Sequence, residues 1–177
     1  MIDLLPDLCD HYGQDVRWLP LVTNNYGGRT IFYGEVVTLR CFEDNSLVRD
    51  IVSEDGTGKV LFIDGHGSCN RALLGDQLAL LAHKNNWEGI VINGAARDIG
   101  TLATIDIGVK ALAACPFKTD KRQTGDQNVT LAVAHTLVYP GDMLYADLNG
   151  ILLSQKPLDL SVFESDKPEL AITKPQI

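Results

Sequence analysis

The stretch GDQLALLAHKNNWEGIVINGAARD, residues 75–98, sets a helix and a buried strand back to back. Gly75 and Asp76 stand where a helix starts, and Leu78, Leu80, Leu81 and Ala82 supply the apolar face of a helix predicted over 77–86. GIVING (89–94) then reads as a buried strand. Upstream, KVLFID (59–64) is a compact apolar strand; downstream, VKALAACP (109–116) is another. Strands alternating with helical segments make βαβ-like units at the centre of the chain.

The flanks differ in character. Leu4, Leu5, Leu8, Tyr12 and Val16 recur at spacings near four, which predicts an amphipathic helix within 3–18, ended by Pro20. NNYGGR (24–29) is a turn, and TIFYGEVVTLRCF (30–42), dense in β-branched and aromatic residues, is a strand. EDNSLVRDIVSEDGTG (43–58) predicts a short helix capped by Asp44 or Asn45, with Gly56 near its end. PFKTDKRQTGDQN (116–128) is a polar, exposed loop in which Lys118, Lys121 and Arg122 are solvated. NVTLAVAHTLVYPGDMLYADLNGILLS (128–154) reads as antiparallel strands joined by Pro-Gly-Asp and Asn-Gly turns, with Asp147, Asn149 and Gly150 in hairpin roles. From Gln155 an irregular, partly mobile tail is expected. Central βαβ-like units with flanking strand runs predict an α/β or α+β domain, not a plain doubly wound sheet.

A chain of 177 residues suits one domain with a sizeable core. With 45% hydrophobic and 21% charged residues, neither a disordered nor a membrane class is favoured. No apolar run reaches about 18 residues, and MIDLLPDLCDHYGQD carries acidic residues where a secretory signal would be basic. A cytoplasmic protein without a membrane segment is expected. A net charge of -8 and a pI near 4.8 argue against direct nucleic-acid binding and leave a basic protein partner open. Cys9, Cys41, Cys69 and Cys115 are scattered and expected as reduced core residues; neither they nor His11, His66, His83 and His135 have zinc-ligand spacing. His66 alone stays in view. Asp64, at a strand end, is expected to bond turn amides. GHGSCNRALLGD (65–76) has neither the Walker nor the dinucleotide glycine pattern.

Two readings of Asp76 are open: a helix cap, or part of a helix start whose free amides receive an anion. Arg97 and Asp98 follow a strand end, either as a surface ion pair or as an arginine fork beside a hard oxygen ligand for magnesium or manganese. Together the three features suit an α-keto acid: amides and arginine hold its carboxylate, and a metal polarises its ketone. Such a site stabilises an enolate. The base is either a water linked to the metal or positioned by Asp76, or Asp76 itself.

These blocks resemble a known family. LCDHYGQDV, NNYGGR, CFEDNSLV, GKVLFIDG, RALLGDQLA, NNWEGIVINGAARD, DIGVKALAACP and GDMLYADLNGILLS are similar to segments of the regulators of ribonuclease E activity A (RraA-like) and of the class II 4-hydroxy-4-methyl-2-oxoglutarate aldolases. The aldolase branch carries an Asp, twenty residues and then Arg-Asp, a pattern matched by Asp76, Arg97 and Asp98. The resemblance implies a single swivelling β/β/α domain over 1–160 with an irregular tail at 161–177, and a homotrimer. It implies that Gly75, Asp76, Gln77, Leu78 and Arg97 bind the pyruvyl group, that Asp98 holds Mg2+ or Mn2+, and that Arg97 and Asp76 serve catalysis. The activity implied is that of a lyase, cleaving 4-hydroxy-4-methyl-2-oxoglutarate to two pyruvates, with oxaloacetate decarboxylation as a companion. The alternative is a non-catalytic inhibitor of ribonuclease E that engages the nuclease or its associated helicases.

Overall fold

In the computed structural model, which describes residues 3–163, the chain opens with helix α1 (Leu5–Tyr12), strands β1 (Val16–Trp18) and β2 (Asn24–Asn25), and the long β3 (Phe32–Arg40). Three helical connections follow: α2 (Ser46–Val52) leads to β4 (Lys59–Asp64), β5 (Ala72–Leu74) and α3 (Asp76–Lys84) lead to β6 (Gly89–Ala96), and α4 (Ile99–Leu102) leads to β7 (Gly108–Ala114). The remainder holds β8 (Asp126–Gln127), β9 (Leu131–Val133), β10 (Thr136–Val138), β11 (Met143–Asp147), β12 (Gly150–Ser154) and a 3-10 turn at Leu160–Phe163.

Strands β3, β4, β6 and β7 are parallel neighbours and stand in the sheet in chain order. Because that order never reverses, right-handed crossovers deposit every helix on the same face. Leu61, Ile63, Ile90, Ile92 and Val109 accordingly pack on Val48, Ile51, Val52, Leu78, Ala79 and Ala82 of α2 and α3. Alternate residues of the same strands, Val60, Phe62 and Val91, meet Leu144, Ala146, Ile151 and Leu153 of β11 and β12 and the β9–β10 hairpin. The layers are therefore helices, parallel strands and antiparallel strands, the β/β/α arrangement expected. Helix α1 lies outside them, with Leu4, Leu5 and Leu8 against Tyr145 and Leu152. The amides of Leu4 and Leu5 donate to Asp147 Oδ2 at 2.8 and 2.9 Å.

Several local expectations change. The helix within 3–18 ends at Tyr12, and Val16–Trp18 pairs antiparallel with β12 instead; cross-strand pairing outweighs a four-residue spacing that Val16 continues by coincidence. Helix α3 spans Asp76–Lys84, not 77–86, since Asn86 turns left-handed at φ 63°. The cysteines are all free, but only Cys41 and Cys115 are buried while Cys9 and Cys69 are exposed. The segment after Gln155 is irregular, with Leu158, Leu160 and Phe163 packed on the α1 cluster; the rest of the expected tail lies outside the described residues. Among those residues no helix is long and apolar enough to cross a membrane.

Lys110 is 1% exposed, and its amine donates to Asn25 Oδ1 at 2.8 Å. Burial pushes that amine down to about 8, partly opposed by the charge of Asp147. The folded amine thus loses its proton near pH 8 and the unfolded one near 10.5, so the penalty is complete below pH 8 and disappears above 10.5. Lys110→Met should be more stable than the parent by about 1–3 kcal/mol near pH 7, with the gap closing as urea titrations are carried up to about pH 10.5.

Gly89 and Gly108 face each other across β6 and β7 under the ring of Phe32. A Cβ on Gly108 would fall 2.1 Å from Phe32 Cδ1, whereas one on Gly100 in α4 meets nothing. Gly108→Ala should cost about 1–3 kcal/mol by overpacking, and Gly100→Ala should be neutral or gain up to about 1 kcal/mol, both read from urea melts.

Candidate active site

Parallel pairing brings the carboxyl ends of β3, β4, β6 and β7 to one edge, with Arg40 beside Asp64 and Asp64 beside Asn93. The short β5 runs along β6, Leu74 beside Ala96. The chain therefore leaves the sheet at Leu74, travels around α3 and β6, and returns at Arg97, whose N–H donates to Leu74 O at 2.9 Å. That circuit is the physical meaning of twenty residues between Asp76 and Arg97.

Asp98 has φ 58° and ψ 38°, a left-handed turn that Asp tolerates better than most residues. The turn brings its Oδ2 back to 3.4 Å from the N–H of Asp76 and 3.3 Å from Arg97 Nε. Gly75 is extended, a conformation open to any residue, so its lack of a side chain matters for space. A Cβ there would stand 2.7 Å from Asp98 Oδ2 and 3.1 Å from Arg97 Nε. The side chains of Arg97 and Asp98 are 38% and 36% exposed, and such a pair adds only about 0–1 kcal/mol to stability. Its terminal guanidinium nitrogens have no protein acceptor among the described residues.

Helix α3 begins at Asp76 with Gly75 in the cap position, so Asp76 is not the N-cap. Its Oδ1 instead takes the N–H of Gln77 at 2.7 Å. The first intrahelical bond runs from Ala79 N–H to Gly75 O, leaving the amides of residues 76–78 without helical acceptors. Those of Asp76 and Gln77 meet the carboxylates of Asp98 and Asp76, and the segment 75–78 forms part of the wall of a cleft of about 270 Å³ together with Arg97. All five residues expected to contact substrate are thus brought together. Asp98 lies outside the wall, behind Gly75 and Arg97.

The opposite wall was missed by sequence reasoning. It comprises Asn45, Ser46, Arg49 and Asp50 from the start of α2, with Lys118, Thr119, Lys121 and Gln123. The loop expected to be merely solvated is fastened along its length. Ala72 N–H donates to Phe117 O at 2.8 Å, and Thr119 Oγ1 to Asn45 Oδ1 at 2.7 Å. Asp44, completely buried, accepts from the amides of Arg122 and Thr124 at 2.9 and 3.0 Å through Oδ2, and from Ser46 through Oδ1. Burial by itself would raise the Asp44 carboxyl, but the bonds from Ser46, Thr124 and Arg122 outweigh it and hold it well below the usual carboxylate range. Asp44-Asn45-Ser46 is legible as a local turn; its partners lie 78 and 80 positions away.

Asp64 takes the turn amide of His66 at 3.0 Å and Asn93 Nδ2 at 2.8 Å, as expected of a strand-end aspartate. His66 is left-handed, has its ring 6.2 Å from that of Phe42 at a 60° tilt, and does not line the cleft. Among the described residues no group of three or more His, Cys, Asp or Glu gathers as a metal cage. The partly exposed Asp98 carboxylate is a hard oxygen donor of the type that, completed by water, would fit a divalent ion.

A sequence model of the RraA-like family (Aldolase/RraA) matches residues 5–153. A protein of Photobacterium profundum, named "Putative 4-hydroxy-4-methyl-2-oxoglutarate aldolase", is 82% identical over 92% of this chain and 99% of its own length. A Vibrio cholerae protein of the same name is 55% identical over 91% of this chain and 100% of its own. Among solved structures, the RNA-processing inhibitor RraA from Thermus thermophilis superposes with a TM-score of 0.86 at 45% identity, over 90% of this chain and 97% of that one. A Geobacillus kaustophilus protein described as an S-adenosylmethionine: 2-dimethylmenaquinone methyltransferase gives 0.86 at 36% identity, over 90% and 98%. One fold thus carries three names, and the site has to decide between them.

Asp44→Asn should lower stability by about 2–3 kcal/mol at neutral pH, because it weakens charge-assisted bonds to buried donors. A depressed carboxyl stabilises the fold above its unfolded value and loses that contribution as pH falls toward its folded value. The gap between parent and variant in urea titrations should therefore shrink steadily below about pH 4.

Proposed function

The chain belongs to the RraA-like (Aldolase/RraA) family, and we propose that it is a divalent-metal-dependent lyase cleaving 4-hydroxy-4-methyl-2-oxoglutarate to two pyruvates. One observation carries this reading: Gly75, the start of α3 and Arg97 line one cleft, and the Asp98 carboxylate stands directly behind them, against Arg97 Nε and the Asp76 amide. Oxaloacetate decarboxylation, which passes through the same pyruvate enolate, is part of the proposal.

The Leu78 amide, without an acceptor among the described residues, the long-bonded amide of Asp76 and the guanidinium of Arg97 bind the carboxylate next to the ketone, which fixes the substrate's orientation. A divalent cation such as Mg2+ or Mn2+, held by Asp98 and water, supplies Lewis acidity at the ketone oxygen when bound. The C3–C4 bond breaks as the C4 hydroxyl gives up its proton: C4 becomes the ketone of one pyruvate, and the electron pair of the broken bond enters the C2–C3 enolate of the other. Arg97 offsets the charge developing on that enolate. Asp76 lines the cleft and keeps one carboxylate oxygen without a protein donor among the described residues, so it, or a water it orients, takes the hydroxyl proton. Protonation at C3 completes the second pyruvate. The cytoplasmic setting and the homotrimer belong to the same proposal; the latter is supported by exposed Trp18, Phe117 and Leu148, apolar side chains suited to an interface.

A second reading, inhibition of ribonuclease E or its helicases, is favoured by the likeness to the Thermus RNA-processing inhibitor and by the net charge of -8, which suits a basic partner surface. That role has no need of the Gly75–Arg97–Asp98 arrangement.

Pyruvate release from both keto acids, with Mg2+, with Mn2+ and after chelation, tests the two readings. Asp98→Asn keeps a residue that accepts the left-handed backbone, and Arg97→Ala removes the fork; each should lower kcat/KM by about 100-fold or more. Gly75→Ala should weaken Mn2+ binding, followed by electron paramagnetic resonance, by at least about tenfold as its Cβ displaces Asp98. Full turnover by both Asp98→Asn and Arg97→Ala would defeat the site assignment. A parent protein inactive with either metal would favour the inhibitor.

A further inference from the structure

The cleft carries more positive charge than one substrate carboxylate requires. Arg49, Arg97, Lys118 and Lys121 line it against two carboxylates, Asp50 and Asp76, in a chain whose net charge is -8. Among the described residues, Arg49, Lys118 and Lys121 make no ion pair. Unpaired cations on an acidic protein, concentrated in a concave site, focus a field that favours anions.

The backbone that carries the lysines is held in place. Thr119, between them, is buried and bonded to Asn45, and the amide of Arg122, directly after Lys121, is bonded to buried Asp44. Both lysine side chains remain exposed while their backbone is tied to the α2 entry. With the backbone fixed, only the side chains have to be ordered when an anion arrives.

We propose that Lys118, Lys121 and Arg49 form a subsite for the second carboxylate of the substrate, across the cleft from Arg97, and that this subsite favours aldol cleavage over decarboxylation. The inference rests on the lyase reading above. In aldol cleavage the distal carboxylate keeps its full charge from substrate to product pyruvate, so the lysines hold it equally in ground and transition states. In decarboxylation the second carboxylate of oxaloacetate, bonded directly to C3, itself leaves as neutral CO2, and the electron pair of the broken C3–C4 bond moves into the enolate beside Arg97. Lysine contacts to it are then weaker in the transition state than in the ground state, and they oppose the step.

The test compares kcat/KM of the full chain with Mg2+ for 4-hydroxy-4-methyl-2-oxoglutarate and oxaloacetate, in the parent and in the Lys118→Met/Lys121→Met double variant. Exchange of pyruvate methyl protons in D2O by the parent reports the enolate site alone. The double variant should lose about 100-fold on the aldol substrate and no more than about tenfold on oxaloacetate, where KM rises while kcat is kept or increases. Lys118→Arg/Lys121→Arg should recover most of the ratio, which a merely structural role would not predict. If the parent exchanges pyruvate protons and cleaves both substrates, but the ratio is the same in the double variant, this subsite is overturned and the lyase reading stands. A parent that neither exchanges protons nor cleaves either substrate overturns both.

Discussion

The right-handedness of crossovers between parallel strands constrains everything else in this fold. Four strands added in one direction, without a reversal of order, leave all their helices on one face. The second face of β4 and β6, apolar at Val60, Phe62 and Val91, would otherwise meet water. The antiparallel half of the chain exists structurally to cover it. An order without reversal also means that no crevice opens between diverging helices, the usual ligand position in doubly wound sheets. The cleft forms instead at the strand tips, where the start of α3 faces the entry to α2 and the 116–125 loop closes the opposite wall.

Asp44 links the two halves of that arrangement. It is a buried carboxylate satisfied by three backbone amides and the hydroxyls of Ser46 and Thr124, some from its own turn and others from a loop far along the chain. Such a group is stabilising only while all its bonds are made, which rigidifies the loop it holds. Across the cleft, the Asp98 carboxylate shows the contrasting design. It has two long contacts, partial exposure and room for further partners. One carboxylate is consumed by the fold and the other is left available.

How much of this was legible in the sequence depends on the distance over which each signal acts. The buried strands at KVLFID and GIVING, the helix between Gly75 and Asn86, and the gathering of Gly75, Asp76 and Arg97 follow from local apolar runs and one βα circuit. Helix α1 was legible at Leu4, Leu5 and Leu8, but β1 was not, because its ladder partner lies at residues 152–154. Lys118 and Lys121 are exposed as expected, but the fastening of their loop was hidden for the same reason: a polar run rich in Lys, Gln and Thr reads as a free loop, and the carboxylate that ties it down is more than 70 residues away. Buried Lys110 within an apolar run gave no sign that its charge would be confined. Periodicity reports what a segment does alone and says little about what a distant segment does to it.

The left-handed backbone of Asp98 has a consequence for how a lineage of such chains can change. Asn is the residue that shares the tolerance of Asp for that conformation, and it has nearly the same volume. Codons for the two differ by a single base. A chain of this kind can therefore lose the negative charge at this position in one heritable step while keeping the backbone turn that the residue makes. Such a position lets the charge change without the molecule coming apart, in a fold whose relatives are named both for an aldolase and for an RNA-processing inhibitor.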